Sequence, residues 1–481
     1  MYSNLFDAQS ILPQADIDIF ECMKSKLLLL SFLSLAGCAN PKQEPKNVDT
    51  VIKLITVDPG HFHAALVQKS MYPGVDSAVR VYAPQGPELT SHLSLIDQYN
   101  TRKENPTRWL EQVYRGNDYF EQMLEEKAGN VVVLAGNNKK KTDYIRKSIH
   151  AGLNVLADKP MVIDAAAFDV LKQAFEEAKE KNLLLYDIMT ERYEISTMLQ
   201  RELSMVPEIF GTLEKGTPEN PAVTKESVHH FYKYVSGNPL KRPAWFMDVS
   251  QEGEGIVDVT THLVDLVQWA CFPGQVLDYE NDITVNSAKR SATEMTLSQF
   301  NAITKLNGFP DYLKKDVTKD SILNVYSNGE INYTLKGVHA KVSVKWVYKA
   351  PEGTGDTHYS IMRGTKANLI IRQGAEQQYK PALYIEEAGK TDAAYAGILT
   401  DKFKALQTKF PGIELKKLTR GWEVVIPEKY KEGHEAHFAH VMEKFLEYLK
   451  KGNMPEWEVP NMIAKYYTTT KGLEMARKSA H

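Results

Sequence analysis

The chain has 481 residues, 43% of them hydrophobic and 25% charged, with 58 Lys and Arg against 61 Asp and Glu and a formal net charge of −3. A length and balance of this kind exclude disordered, collagenous and polytopic membrane classes, and they leave no basic footprint for nucleic acid. Three cysteines, Cys22, Cys38 and Cys271, exclude a disulfide framework and show no zinc spacing.

The first predicted element is a targeting signal. Met23-Lys24-Ser25-Lys26 is a basic start, Leu27 to Leu35 an apolar stretch too short to span a bilayer, and Leu35-Ala36-Gly37-Cys38 a small-residue cleavage site ending in cysteine. The order resembles a bacterial lipoprotein signal in which Cys38 is lipidated and the protein is exported. The anchor then lies on the periplasmic side of a membrane, with the outer membrane expected; a cytoplasmic protein is the alternative if the signal reading fails. Residues 1–22 form an acidic, doubtful leader, residues 23–37 the signal, and residues 38–50 a flexible tether.

From Val51 the pattern alternates strand and helix. Val51 to Val57 is a β-rich run ending at Asp58-Pro59-Gly60, and Asn130 to Ala135 is a second. A helix through Ile145 and Ile149 stops at Gly152 and leads into the strand Asn154 to Ala157. Asp164 is placed to cap a helix with Phe168, Leu171, Phe175 and Ala178 on one face, before the strand Leu183 to Tyr186. Strands apolar throughout are buried on both faces, so residues 51–190 are predicted to form a doubly wound, Rossmann-type parallel sheet. Residues 191–481 are predicted to form an α+β domain with a large, mainly antiparallel sheet. Its strands alternate at 228–234, 322–326, 331–335, 340–346 and 368–372, with Ser327-Asn328-Gly329-Glu330 as a hairpin turn. A helix is expected near 256–270, a closing pair near 432–451 and 460–478, and a polar insertion over 278–320.

Two motifs carry chemistry. In Gly255-Ile-Val-Asp258-Val-Thr-Thr-His262-Leu-Val-Asp265, helical spacing puts Asp258, His262 and Asp265 on one face; an imidazole beside carboxylates suits proton transfer, although solvated or structural roles remain equally open. Asp158-Lys159-Pro160 follows a strand whose carboxyl end opens on the ligand crevice of such a sheet, and the following proline restricts Lys159. Together the motifs resemble the glucose-fructose oxidoreductase / inositol dehydrogenase / MocA family, whose Rossmann domain carries Glu-Lys-Pro and whose α/β domain carries Gly-x-x-x-Asp-x-x-x-His-x-x-Asp. The resemblance spans residues 51–478 and includes Gly364 to Ile371 and the helix from Glu435 through Phe438.

That resemblance implies a nicotinamide-dependent oxidoreductase acting on a hydroxyl of a sugar or glycoside. Lys159 would polarise the hydroxyl, His262 would take its proton, and Asp258 would orient substrate or histidine. NAD or NADP is implied as a tightly held cofactor, met by Gly60, His61, Phe62, His63, Asn137, Asn138 and Lys159. Only one fingerprint glycine, Gly60, remains in Asp58-Pro59-Gly60-His61-Phe62-His63, and no acid follows the second strand at Ala83-Pro84-Gln85. His61 and His63 are open to two readings, contact with phosphates or substrate, and filling of space left by lost glycines. Turn formation is the competing role for Asn137 and Asn138. Substrate contacts are expected from Asp265, Tyr232, Arg242, Trp245 and His358. His434, His437 and His440 are three apart but one residue short of a zinc-protease motif, so no metal site is assigned.

The expected partners are a small carbohydrate and, through Cys38, a membrane; a homo-oligomer is left open. Two alternatives stand beside the dehydrogenase. One is an NAD-assisted glycosidase that oxidises, eliminates, hydrates and reduces with no net redox change; the other is a non-catalytic carbohydrate-binding lipoprotein.

Overall fold

The computed structural model describes residues 51–235, 238–389 and 394–479; Cys38 and the rest of the leader, signal and tether lie outside them. The apolar runs of the first half become parallel strands: β1 (Leu54–Val57), β2 (Ala78–Ala83), β3 (Leu110–Arg115), β4 (Val131–Leu134), β5 (Asn154–Asp158) and β6 (Leu185–Ile188). Their order is β3-β2-β1-β4-β5-β6. Helices α1 (His63–Val67), α2 (Pro87–Thr101), α3 (Tyr119–Glu126), α4 (Asn138–His150) and α5 (Ala165–Glu180) alternate with them. Asp164 caps α5 by accepting from the Ala167 amide at 2.9 Å. The strand order reverses between β1 and β4, and the crevice beyond their carboxyl ends is the ligand position of this architecture.

After α6 (Ile195–Ser204) the chain builds a nine-stranded sheet from β7 (Val223–Tyr232), β10 (Ile283–Thr296), β11 (Ile322–Leu335), β12 (Val338–Lys349), β13 (Thr357–Arg363), β14 (Ala367–Gln373), β15 (Ala382–Glu387), β16 (Glu414–Lys417) and β17 (Trp422–Val425). A minimal antiparallel pair, β8 (Tyr234–Val235) with β9 (Asn238–Pro239), stands apart from it. The large sheet is antiparallel except where β12 runs beside β7. Alternate residues of β11 are buried and half-buried, the signature of a sheet with one covered face. Helices α7 (Val259–Cys271), α8 (Leu297–Thr304), α9 (Tyr395–Lys409), α10 (His434–Lys451) and α11 (Glu458–Lys478) complete the described chain.

Within the polar segment 278–320, residues 283–296 form the edge strand β10 paired along β11; the polarity there reflects an edge position with an open face. One expectation is corrected here. Ser327 to Glu330 is no hairpin turn, since β11 runs straight through it. The reversal falls at Lys336-Gly337, both with positive φ of 48° and 78°, as a tight hairpin demands. Within 191–481, Phe438, Val441, Met442, Phe445 and Tyr448 of α10 pack into the core of the first sheet, and α11 serves both cores.

The first core also contains His92, with neither ring nitrogen hydrogen-bonded among the described residues and Glu111 3.9 Å away. Burial lowers the His92 pKa to about 4 and raises Glu111 to about 7. An unfolded histidine protonates near its ordinary value while the native one waits until about pH 4, so acidification across that window costs about 3 kcal/mol through His92. Glu111 acts in the opposite sense, so the histidine contribution is isolated by substitution. Urea unfolding of His92→Leu should lose less stability than wild type between neutral pH and pH 4; equal losses would contradict a neutral buried His92.

Candidate active site

Lys159 leaves the carboxyl end of β5 through a cis bond to Pro160. Asp258 arrives from the other domain at the N-cap of α7, held there by two glycines. A Cβ on Gly255 would lie 1.7 Å from the Ser327 carbonyl oxygen, and one on Gly329 would lie 2.6 Å from Ile256 Cβ. The Asn-Gly pair in β11 therefore seats α7 against the sheet where a turn had been expected. Ile256, Val259, Leu263 and Leu266 anchor this segment in the cores.

The result is a buried ion pair between Lys159 Nζ and Asp258 Oδ1. Burial works against the Lys159 charge, but Asp258 and then Asp158 outweigh it and raise its pKa. His262, one turn into α7, is driven to about 4 by burial and secondarily by the Lys159 ammonium, and its Nδ1 has no hydrogen-bond partner among the described residues. A charged lysine, a carboxylate and a neutral imidazole thus meet across the domain boundary. Sequence reasoning missed Glu191, just beyond β6. Burial raises its pKa, but a contact of 3.2 Å to His434 Nδ1 and the neighbouring His262 and His437 lower it overall. Its place after a carboxyl strand end was the available signal.

Asp158 lies beneath the nucleotide loop. Its Oδ2 bonds His63 Nδ1 at 2.9 Å and stands 3.4 Å from His61 Nδ1, while Phe62 packs against both imidazoles. Gly60 is covered by the Trp245 indole, with Cζ2 3.2 Å from where a Cβ would stand. Trp245 therefore meets the nucleotide loop. Gly136, after β4, passes so close to Asp58 that a Cβ would be 2.0 Å from its carbonyl oxygen.

The other expected contacts are dispersed. The Asp265 carboxylate is 2% exposed, bidentate to Arg192 at 2.7 Å and bonded to Lys465 at 2.8 Å, so a network within the core engages it. Asn138 is buried, donating to Glu252 at 2.7 and 3.1 Å and accepting from Lys141. Asn137 caps α4 and donates to Gln251 at 2.7 Å, so both asparagines join the domains at the turn after β4. Arg242 is buried over Phe246 and Trp346, with Nε bonded to the Phe231 carbonyl at 3.1 Å. Its charge still reaches His61. Tyr232 groups with Tyr234 and Tyr348 at the end of β7. His358 lines an open cavity with Glu226, Arg372 and Gln373. The α10 histidines diverge: His434 meets Glu191, His437 is buried, and His440 pairs with Glu432 at 2.6 Å.

Lys159 and His262, whose Nδ1 no described residue bonds, are close enough to interact electrostatically and would serve the reactive end of a dinucleotide. The phosphate end is unusual. The Gly60 amide bonds the Asp58 carbonyl at 2.7 Å, the His61 amide bonds Ala135 at 3.1 Å, and Asp58 is balanced by Lys140 at 3.6 Å and Tyr119 at 3.1 Å. The turns after β1 and β4 would hold a cofactor from either side, with histidines where glycines are usual.

Residues 85–186 match the family model described as "Oxidoreductase family, NAD-binding Rossmann fold", and residues 199–477 match "Putative oxidoreductase C terminal domain". A crystal structure of a "putative oxidoreductase" from Parabacteroides merdae is 56% identical with a TM-score of 0.88, the match covering 89% of this chain and 98% of that one. An oxidoreductase domain protein from Kribbella flavida shares the fold at 14% identity and TM-score 0.58, over 89% of this chain and 98% of its own. Levoglucosan dehydrogenase in complex with NADH and L-sorbose does so at 12% identity and TM-score 0.56, over 89% and 97%. No match was found among curated proteins. Motifs, fold and matches agree: the chain belongs to the glucose-fructose oxidoreductase / inositol dehydrogenase / MocA family of NAD-binding oxidoreductases.

Proposed function

We propose that the protein oxidises a hydroxyl of a sugar or glycoside, with NAD as hydride acceptor. The observation that carries this reading is the convergence of Lys159, Asp258 and His262 at the carboxyl end of β5. A bound nicotinamide would supply the two-electron acceptor. Lysine has three N–H donors; Asp258 takes one, leaving others for a substrate hydroxyl, whose oxygen becomes more acidic beside the ammonium. Neutral His262 accepts the hydroxyl proton on a ring nitrogen, and Asp258 keeps Lys159 charged and directed. Levoglucosan dehydrogenase, a distant relative in fold, binds sugars with NADH, which makes a small carbohydrate the substrate class favoured here. The signal-like residues 23–38 support export and lipidation at Cys38 as part of the same proposal.

Calorimetric titration of the full chain with NAD and NADP, followed by a panel of sugars and glycosides with reduced nicotinamide as readout, tests the proposal. Saturable cofactor binding and sugar-dependent reduction are expected; no binding of either cofactor would refute it. Release of aglycone without accumulation of reduced cofactor would favour the redox-neutral glycosidase.

The pH profile follows from the same groups. His262 must be neutral to accept a proton, and its pKa is about 4, so activity should hold from neutral pH down to about 5 and fall through pH 4. A raised Lys159 pKa leaves the ammonium intact on the alkaline side. An acid limb near the ordinary histidine value in kcat/KM would contradict the buried setting of His262.

A further inference from the structure

We propose that His61, His63 and Asp158 form a mononuclear site for a divalent, borderline-soft transition cation of the zinc type. One ring nitrogen of His61, one of His63 and one carboxylate oxygen of Asp158 all lie within 4.8 Å of one another. Zinc bonds of about 2.0–2.2 Å in tetrahedral geometry place donor atoms about 3.4 Å apart. The Nδ1 atoms of His61 and His63 stand 3.4 and 2.9 Å from Asp158 Oδ2, so small side-chain adjustments admit an ion. His61 Nδ1 is buried and makes no well-formed hydrogen bond among the described residues, its one close polar neighbour there being Asp158 Oδ2 at 3.4 Å. Two imidazoles and one carboxylate suit zinc, cobalt or iron rather than calcium or magnesium, and they leave coordination positions open.

The surroundings hold the donors in place. The His61 and His63 rings meet edge-on at 3.9 Å, Phe62 lies 4.6 Å from His63, and Phe438 packs on His63 at 4.7 Å. Asp158 is fixed from behind by Lys141, which donates to its backbone carbonyl at 2.9 Å. The nearby Lys159 charge is already met by Asp258. The two histidines stand in the loop where fingerprint glycines would present amides to a pyrophosphate. An ion there would put positive charge at the same place, its open positions taken by water or an anionic oxygen. This site goes beyond the nicotinamide reading, and neither depends on the other.

The test uses the full chain without an affinity tag, stripped with chelator and titrated with Co²⁺ and Zn²⁺. One equivalent should bind, with cobalt d–d bands of a low-coordinate nitrogen and oxygen site. Affinity should fall by about 100-fold or more in His61→Ala and His63→Ala, and stay unchanged in His437→Ala. Circular dichroism confirms that each variant is folded. X-ray absorption of zinc-loaded wild type needs no variant and should show two imidazoles in the first shell. Less than a tenth of an equivalent bound, unchanged affinity in His63→Ala, or a shell without imidazole would overturn the site. Titration with NAD in the same preparations separates the two readings, because loss of one signal leaves the other standing.

Discussion

Replacing Lys159 by Ala should lower kcat/KM for sugar oxidation by about 10³-fold while NAD affinity changes little. The lysine sits where β5 ends, its ammonium paired to Asp258 and close enough to depress His262. Removing it takes away the donor that makes a hydroxyl acidic, and it also leaves Asp258 as a buried acid without its cation. Lys159→Arg retains charge but not the compact point donor, so it should recover only part of the activity. His262→Asn should show a comparable loss and abolish the acid limb near pH 4. Retention of a tenth or more of wild-type kcat/KM in Lys159→Ala would remove that residue from the reaction.

The second large effect is on stability. Asp265→Ala should lower the free energy of unfolding by about 3–5 kcal/mol, because it leaves buried N–H donors of Arg192 and Lys465 without their acceptor in the core. Arg192 also holds Glu458 at 3.1 and 3.2 Å, and Lys465 bonds Asp187 Oδ2 at 2.6 Å, which Tyr466 bonds at 2.8 Å. These residues come from the end of β6, the turn after it, α7 and α11, so the network ties both domains together. Burial opposes the Asp265 charge, yet Arg192 and Lys465 hold its carboxyl well below the ordinary range. Unfolding in urea gives the measurement. A loss under 1 kcal/mol would show that the network does not need the Asp265 acceptors, and a parallel loss of sugar affinity in folded protein would make it a substrate ligand.

Legibility from sequence followed the range of the interactions. The first sheet was readable because buried parallel strands are continuous apolar runs, as in Val131 to Leu134, and because Asp164 and Gly152 mark helix ends locally. Lys159, Asp258 and His262 stood out through a strand end and a helix spacing, and Lys159 and Asp258 do meet as an ion pair. The role of Asp265 was not readable, since Lys465 lies 200 residues away in sequence and helical spacing shows only which face a side chain shares. The Asn328-Gly329 pair misled because glycine serves both turns and close approaches; only the contact with Ile256 distinguishes them. The polar edge strand β10 was read as an insertion because one of its faces is open. His61 and His63 were visible as departures from a glycine fingerprint, but their shared partner Asp158 appears only when β1 and β5 are brought side by side across β4.

On the proposed reaction, Lys159, Asp258 and His262 remove the hydroxyl proton while a hydride leaves the carbon bearing that hydroxyl for NAD. A single-turnover reaction with a sugar deuterated at the oxidised carbon decides it. Deuterium should appear in the reduced nicotinamide with a primary isotope effect, and transfer should be lost in His262→Asn under conditions where NAD remains bound. Reduced cofactor without deuterium, or undiminished transfer in His262→Asn, would contradict the assignment.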